Sequence, residues 1–124
     1  MKIGAFIPQG WRMDLNGIPL EDQWDTIIST ANAIEDLNYT SVWVYDHFHT
    51  VPIPTQDPTY ECWSLMAALS QSTSKLRLGQ MCTCNSYRNP SYLTKVASNV
   101  DVMSGGRLEY AIGAGWYDQE YKAY

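Results

Sequence analysis

The most informative part of the chain is Val42-Trp43-Val44-Tyr45-Asp46-His47-Phe48-His49, where a β-branched and aromatic run changes abruptly into ionisable residues. Such a run is typical of a buried strand, and the residues that follow it are typical of a site. Three further strand-like segments, residues 3–7, 76–81 and 107–112, also run into polar or glycine residues. The sequence therefore predicts four strands, each followed at the same end by residues that can bind or react.

Segments with helical periodicity separate these strands. Apolar residues recur at helical spacing over residues 20–37, 59–72 and 90–103. Asp57-Pro58 and Asn89-Pro90 each join a capping residue to a proline, which predicts that the second and third helices start there. Asp118 is expected to begin a fourth helix. The predicted order is therefore βαβαβαβ followed by a helix stub.

Alternating strands and helices are typical of α/β proteins with parallel strands and right-handed crossovers. A doubly wound sheet and a (β/α)8 TIM barrel both fit, and both form their sites at the carboxyl ends of the strands. The turn after the first strand is Pro8-Gln9-Gly10-Trp11, which is not the glycine fingerprint of a dinucleotide-binding sheet. The sequence therefore favours half of a TIM barrel, with four parallel strands, three helices, a C-terminal helix stub and one polar rim.

Size and composition narrow the functional classes. The 124 residues allow one modest core, so residues 1–124 are expected to form a single domain. A formal net charge of -5 with scattered basic residues does not suit a nucleic-acid-binding surface. No apolar run approaches the length of a membrane span, and three cysteines form an odd set that suits a reducing compartment. A cytoplasmic protein is expected.

His47 is the first candidate for chemistry, because it follows a buried strand and imidazole titrates near neutral pH. The residues alone leave two interpretations open: a catalytic or cofactor-contacting histidine that Asp46 orients, or an ordinary loop histidine. His49 is a weaker candidate, and no second group of ligands completes a zinc site. Cys82 and Cys84 are one residue apart, so their thiols should point to opposite faces of a strand rather than form a redox pair.

Two further features fall at the expected rim. The turn Gly113-Ala114-Gly115 would let a phosphate or a ring approach the backbone, although short glycine turns are common. Glu61 is interpreted as a favourable charge in the first turn of the second helix. Each signal is nonspecific by itself, but all of them lie on one predicted face.

Several motifs together resemble the luciferase-like monooxygenase superfamily, and most closely its F420-dependent oxidoreductases. The resemblance covers the whole chain, and its most specific part is residues 83–90. The motifs are Tyr45-Asp46-His47-Phe48, Arg77-Leu78-Gly79, Thr83-Cys84-Asn85-Ser86-Tyr87-Arg88-Asn89-Pro90, Ser104-Gly105-Gly106-Arg107-Leu108-Glu109 and Gly113-Ala114-Gly115-Trp116-Tyr117. The resemblance implies a TIM barrel that holds a deazaflavin or flavin at its C-terminal face and transfers hydride to or from the ring.

By this resemblance His47 is the catalytic candidate, next to the hydride-accepting carbon of the deazaflavin. The family also has a non-proline cis peptide where the third strand ends, which would fall near Cys82-Thr83-Cys84 in this chain. No metal is implied. The expected cofactor-binding residues are Asp46, Thr83, Cys84, Asn85, Gly113, Ala114, Gly115 and Trp116.

Two departures from the family limit what the resemblance implies. Its sugar-phosphate dehydrogenases have a Trp four residues after the histidine and a Glu just past the fourth strand, where this chain has Val51 and either Trp116 or Tyr117. That substrate is therefore not expected. The second departure is length. A whole barrel needs about 250 residues, about twice the 124 of this chain, and its usual phosphate site comes from the last loops, which are not in this half. The expected function is F420-dependent hydride transfer to an unknown small molecule, with two alternatives: an FMN-dependent monooxygenase, or a non-catalytic half-barrel.

A half-barrel is also expected to associate with another copy of the chain. Four parallel strands leave two open edges, and the inner face of a half-barrel would expose residues such as Ala5, Val44 and Leu78. Two copies could rebuild an eight-stranded barrel. We therefore expect a homodimer or a higher oligomer, with weaker cofactor binding than in a whole barrel.

Overall fold

A computed structural model describes residues 1–124 and shows an α/β fold with one main parallel sheet. The main sheet has the strand order β1-β2-β3-β5, and a short second ladder pairs β4 with β6 in parallel. The strands are β1 (Gly4–Phe6), β2 (Ser41–Val44), β3 (Arg77–Gln80), β4 (Thr83–Cys84), β5 (Leu108–Glu109) and β6 (Ile112–Gly113). The helices are α1 (Leu20–Asp36), α2 (Cys62–Ser72), α3 (Pro90–Met103) and α4 (Asp118–Ala123).

A short extra strand follows the third predicted strand, and the fourth predicted strand is divided into two pieces. Gln80 ends β3 and Thr83 begins β4, and the Met81–Cys82 peptide between them is cis. Glu109 ends β5, and Ile112 begins β6 after a two-residue interval. The β4–β6 ladder therefore extends the sheet only at its carboxyl end, where the predicted site lies.

The core lies between the main sheet and helices α1 to α3. Register places Ala5, Val42, Leu78 and Leu108 in one row across the sheet. Val42 and Leu78 are at most 1% exposed, and both belong to the core cluster that includes apolar residues of the three helices. Burial of such apolar surface is the main favourable contribution to folding.

The prediction that Ala5, Val44 and Leu78 face the barrel interior is wrong. Val44 and Leu78 are buried in the core, and Ala5 packs against it. The alternate row faces the other way and contains Phe6, Trp43 and Gly79. Both rows are partly apolar, so the residue types did not reveal which of them faces the helices.

Capping residues decide where the helices start. The side chain of Asn89 accepts hydrogen bonds from the amides of Ser91 and Tyr92, so the predicted start of α3 is confirmed. The predicted start of α2 at Asp57-Pro58 is wrong, because the helix begins only at Cys62. None of the helices has both the length and the apolar character that a membrane crossing requires.

Candidate active site

The segments that follow the strands meet at one rim of the sheet, as predicted. The Gln9 side chain donates to the carbonyl oxygens of Tyr45 at 2.7 Å and Tyr60 at 2.8 Å, and accepts a bond from the Tyr45 amide. The Asp46 carboxylate accepts a bond of 2.8 Å from the amide of Cys84. These contacts join the ends of β1, β2 and β4 into one surface.

A cavity of about 240 Å³ opens at this rim. It is lined by Asp46, His47, Met81, Cys82, Cys84, Tyr87, Gly113, Gly115 and Trp116. The cis Met81–Cys82 peptide forms part of the lining, at the position that the resemblance indicated. Cys82 is exposed and Cys84 is buried, and no disulfide joins them.

Six of the predicted site residues line the cavity, and three do not. Those that line it are His47, Asp46, Cys84, Gly113, Gly115 and Trp116. Thr83 is buried and its hydroxyl bonds to Gln80, while Asn85 is exposed and its side chain contacts only Ser86. The backbone amides of Thr83 and Asn85 bond to the carbonyl oxygens of Ala111 and Gly113, so they support the cavity wall. Ala114 is exposed, and its carbonyl oxygen accepts a bond from Tyr121.

Asp46 does not orient His47, contrary to the sequence hypothesis, because Arg88 binds its carboxylate. The Arg88 guanidinium forms two bonds to Asp46, at 2.6 and 2.8 Å, and one of 2.5 Å to Glu61. The Asp46 side chain has no exposed surface, and the guanidinium supplies the positive charge that a buried carboxylate requires. Burial lowers the pKa of Arg88, but the bonds and charge of Asp46 outweigh it and raise the pKa overall.

Glu61 also has more than the first-turn role that the sequence suggested. It is the N-cap of α2, and its carboxylate accepts bonds from the amides of Trp63 and Ser64. Burial alone would raise the pKa of Glu61, but the bonds from Ser64, Trp63 and Arg88 lower it below its usual value. Glu61 therefore joins the start of α2 to Arg88.

Asp46, Glu61 and Cys62 lie close enough together to resemble a metal-binding group, with ligand atoms within 4.8 Å of one another. Arg88 contacts all three, including the Cys62 sulfur at 3.7 Å. Burial, together with the charges of Asp46 and Glu61, raises the pKa of the Cys62 thiol well above its usual value, which opposes formation of a thiolate ligand. The cluster is therefore an ion-pair network centred on Arg88.

The residue that does orient His47 is Glu120 of α4, which was not among the predicted site residues. Its Oε2 lies 2.7 Å from His47 Nδ1 and accepts a bond of 2.6 Å from the Tyr87 hydroxyl. Its Oε1 accepts bonds from the amides of Phe48 at 2.7 Å and His49 at 2.9 Å. Burial alone would raise the pKa of Glu120, but these four bonds lower it below its usual value.

Aromatic rings fix the His47 imidazole from other sides. The ring stacks on Trp11 with centroids 4.4 Å apart and planes 3° from parallel, and Trp116 approaches its edge at 5.7 Å. His47 is 8% exposed, so its ring is largely buried at the rim. No hydrogen bond within the chain involves its Nε2 atom, although the residue lines the cavity.

The remaining cavity wall is formed by glycine backbone and an aromatic ring. A Cβ added at Gly113 would lie 3.3 Å from Cys82 Cβ, which is closer than an ordinary contact, so a side chain would fit there only if Cys82 moved slightly. Trp116 is 65% exposed and forms an aromatic wall. The backbone, the glycines, the indole and the His47 edge suit a flat conjugated ring such as a deazaflavin or a flavin.

A second, more apolar concavity of about 530 Å³ adjoins this cavity through Trp116. It is lined by Arg12, Met13, Val51, Pro52, Trp116 and Tyr117. The Arg12 guanidinium lies 5.0 Å from the centre of the Trp11 ring, on which His47 stacks. The smaller cavity alone is below the ~300–1,000 Å³ that is typical of small-molecule sites, but the two together exceed that lower bound.

Comparison with known proteins is consistent with this geometry. A family model described as luciferase-like monooxygenase matches residues 1–124. The pyrimidine monooxygenase RutA of Serratia proteamaculans (strain 568) is 25% identical in an alignment of 127 positions that covers 98% of this chain and 34% of that protein. The F420-dependent hydroxymycolic acid dehydrogenase of Mycobacterium tuberculosis is 27% identical in an alignment of 95 positions that covers 73% of this chain and 25% of that protein.

Solved structures show the same arrangement of strands and helices. An F420-dependent secondary alcohol dehydrogenase in complex with an F420-acetone adduct matches with a TM-score of 0.71 and 27% identity, over 92% of this chain and 32% of that chain. The oxygenating constituent of 3,6-diketocamphane monooxygenase from Pseudomonas putida, in complex with FMN, matches with a TM-score of 0.78 and 20% identity. The match covers 99% of this chain and 32% of that chain. The chain thus spans about a third of the length of these proteins, and its four parallel strands correspond to half of a TIM barrel.

Proposed function

Because this chain belongs to the luciferase-like monooxygenase family, we propose that its rim cavity binds coenzyme F420 and that the protein transfers hydride between the reduced deazaflavin and a small organic substrate. The observation that carries the proposal is the His47 ring, which Glu120 and Trp11 fix at the edge of a cavity walled by glycine, backbone and indole. F420-dependent enzymes are among the similar proteins, at 27% identity.

Each predicted site residue has a role in this proposal. Gly113, Gly115 and Trp116 bound the space for the ring, and His47 presents Nε2 at its edge. Asp46 acts through the backbone, because its carboxylate fixes the Cys84 amide while Arg88 balances its charge. Thr83, Asn85 and Ala114 support the wall through their main-chain bonds. The cofactor supplies the hydride chemistry, and the protein supplies position and electrostatics.

The second concavity is the proposed place of the substrate. It shares Trp116 with the cofactor cavity, so a molecule bound there would lie beside the ring. Its lining of Met13, Val51, Pro52 and Tyr117 favours an apolar body, and Arg12 is its only charged group. The structure therefore supports a mostly apolar substrate, and a sugar phosphate does not suit this lining.

Oxidation of reduced F420 by a panel of small ketones and aldehydes, followed by absorbance, tests the proposal. His47→Ala should lower the rate by more than about tenfold, or about 1.4 kcal/mol of transition-state stabilisation. His49→Ala is the matched control, because its side chain does not line the cavity, and it should keep the rate. Equal rates for wild type and His47→Ala, with equal cofactor binding, would contradict the assigned role.

An FMN-dependent monooxygenase is the second candidate function. The pyrimidine monooxygenases, which match 98% of this chain at 25% and 27% identity, support a monooxygenase, and the similar 3,6-diketocamphane monooxygenase constituent is the one in complex with FMN. Absorbance spectra of the bound cofactor, after incubation with both compounds, would separate the two candidates. A chain that binds both and turns over neither would instead support the non-catalytic half-barrel.

We also propose that a second copy of the chain covers the open strand edges. The outer strands β1 and β5 each pair with only one neighbour, and Phe6 on the inner face is 46% exposed. Unpaired edges and exposed apolar rings favour pairing with another chain. Light scattering should give a mass that is a multiple of 14.1 kDa. Phe6→Lys should reduce this mass. Leu37→Lys is the control, because Leu37 lies at the end of α1, and it should leave the mass unchanged. A mass of one chain with cooperative unfolding would contradict this assembly.

A further inference from the structure

We propose that Glu120 is a positioning residue that holds the proton of neutral His47 on Nδ1, so that Nε2 is left as the proton-accepting nitrogen at the cavity. The tautomer is a property of the free protein. Only its use in hydride transfer rests on the function proposed above, so the two ideas can fail separately.

The bonding pattern around Glu120 requires this tautomer. An ionised carboxylate only accepts hydrogen bonds, so all four of its partners must donate to it. Two donors are the amides of Phe48 and His49, and the third is the Tyr87 hydroxyl. Burial and the bond to Glu120 raise the pKa of Tyr87, which keeps its proton on the oxygen. The fourth partner is His47 Nδ1, which must therefore carry a hydrogen.

No other charged group competes for the imidazole. The neighbouring Asp46 carboxylate binds Arg88, the Cys62 thiol and the Cys84 amide instead. The rings that face His47 are those of Trp11, Trp116 and Tyr117. The Tyr117 hydroxyl donates elsewhere, to the Thr50 carbonyl oxygen. Glu120 is thus the only hydrogen-bond partner that sets the tautomer.

Replacing Glu120 by Gln should reverse the tautomer without removing the side chain. Both backbone amides approach Oε1, so this atom must remain an oxygen acceptor in the variant. The amide NH2 group must then take the place of Oε2, where it can only donate. His47 Nδ1 must accept from it, and the proton moves to Nε2. The variant therefore presents a donor to the cavity where the wild type presents an acceptor.

The tautomer matters for the proposed reaction because it decides which way a proton can move at Nε2. For oxidation of an alcohol, Nε2 in the wild type can take the hydroxyl proton, and the Glu120 carboxylate 2.7 Å from Nδ1 stabilises the resulting imidazolium. For reduction of a ketone, the same imidazolium returns that proton to the substrate oxygen. In Glu120→Gln that carboxylate charge is gone, and Nε2 is already protonated. The variant should lose this function while it keeps the shape of the site.

The test is 15N NMR of protein labelled at histidine, without cofactor, at a pH where His47 is neutral. Two-bond correlations distinguish the protonated ring nitrogen from the unprotonated one. We expect protonated Nδ1 and unprotonated Nε2 in the wild type, and the reverse in Glu120→Gln. Tyr87→Phe is the first control: it removes a bond to the same oxygen but keeps the carboxylate, so the wild-type tautomer should persist.

Glu35→Gln is the second control, because Glu35 accepts amide bonds from Ser74, Lys75 and Leu76 at the far end of β3. It should leave the His47 tautomer unchanged. Protonated Nε2 in the neutral wild-type protein would overturn the proposal, as would the same tautomer in a folded Glu120→Gln. If Glu120→Gln does not fold, the wild-type spectrum together with that of Tyr87→Phe still decides between the two tautomers. A wild type with the expected tautomer but no F420 turnover would contradict the proposed function and leave this inference intact.

Discussion

Replacement of Arg88 by Met should strongly destabilise the protein, because it leaves the Asp46 carboxylate buried without its cation. Arg88 and Asp46 side chains are 10% and 0% exposed, and the pair has two short bonds. Removing one partner of such a buried pair typically costs about 3–5 kcal/mol. Glu61 is 34% exposed, so water can replace its lost bond and it should contribute little to the loss.

The assay is urea unfolding at neutral pH, followed by tryptophan fluorescence. Arg77→Met is the matched control, because Arg77 and Glu109 form an ion pair in which both side chains are 43% exposed. Solvent screening reduces such a pair to about 0–1 kcal/mol. The double variant Arg88→Met/Asp46→Asn has no uncompensated buried charge. Its loss in free energy of unfolding should therefore be about 2–3 kcal/mol smaller than the sum of the losses of the two single variants. Equal losses for Arg88→Met and Arg77→Met would show that the buried pair contributes no more than the exposed one.

Three further outcomes are expected. A thiol reagent should modify Cys82 alone in the folded protein, while Cys62 and Cys84 should react only after unfolding. Bound cofactor should protect Cys82, which lines the cavity. Rapid reaction of all three thiols would contradict the burial of Cys62 and Cys84. Gly115→Ala should cost about 1–3 kcal/mol in urea unfolding, because its φ is +82° and the new Cβ would lie 2.8 Å from the Cys84 sulfur. The folded pKa of Glu120 lies below its ordinary value of 4.5, so its contribution to stability, present above that pH, should be lost as pH falls through the folded pKa. The slope of unfolding free energy against pH in this acidic range should be smaller in Glu120→Gln, and an unchanged slope would count against the burial of its charge.

Local signals in the sequence predicted much of the fold. The order of strands and helices follows from periodicity, and the start of α3 follows from Asn89 and Pro90, which act within their own turn. The start of α2 was predicted too early, because the residues before Cys62 are extended and the actual cap, Glu61, also binds Arg88. A cap that binds only amides of its own turn, such as Asn89, is therefore easier to recognise from the sequence than one that also binds a distant side chain, such as Glu61.

The partners of the site residues could not be predicted from neighbouring sequence. Asp46 is adjacent to His47, which suggested a pair, but its carboxylate binds Arg88, 42 residues away. His47 instead pairs with Glu120, 73 residues away. One signal was available: Tyr117, Glu120 and Tyr124 recur at helical spacing, which places the carboxylate on a helix face with two aromatic residues. The strand periodicity placed these residues at one rim, but only side-chain geometry assigned the partners.

The faces of the strands illustrate the same limit. Val42-Trp43-Val44 is apolar on both faces, so the sequence could not tell which one packs against the helices. In the structure the valines face the helices, and the Trp43 ring lies over Gly79 on the other side. A Cβ at Gly79 would lie 2.4 Å from that ring, so the small residue and the large one fit together across β2 and β3.

Titration of the chain with F420, followed by cofactor fluorescence and with FMN as competitor, measures whether the rim cavity binds the cofactor. We expect saturable binding that Trp116→Ala weakens by about tenfold or more, since about 1.4 kcal/mol is the scale of one aromatic contact. Tyr92→Ala on α3 is the matched control, because Tyr92 is as exposed as Trp116, at 63% and 65%, but lies outside the cavity. Binding that saturates with neither cofactor, or that Trp116→Ala and Tyr92→Ala affect equally, would contradict a cofactor site at this rim.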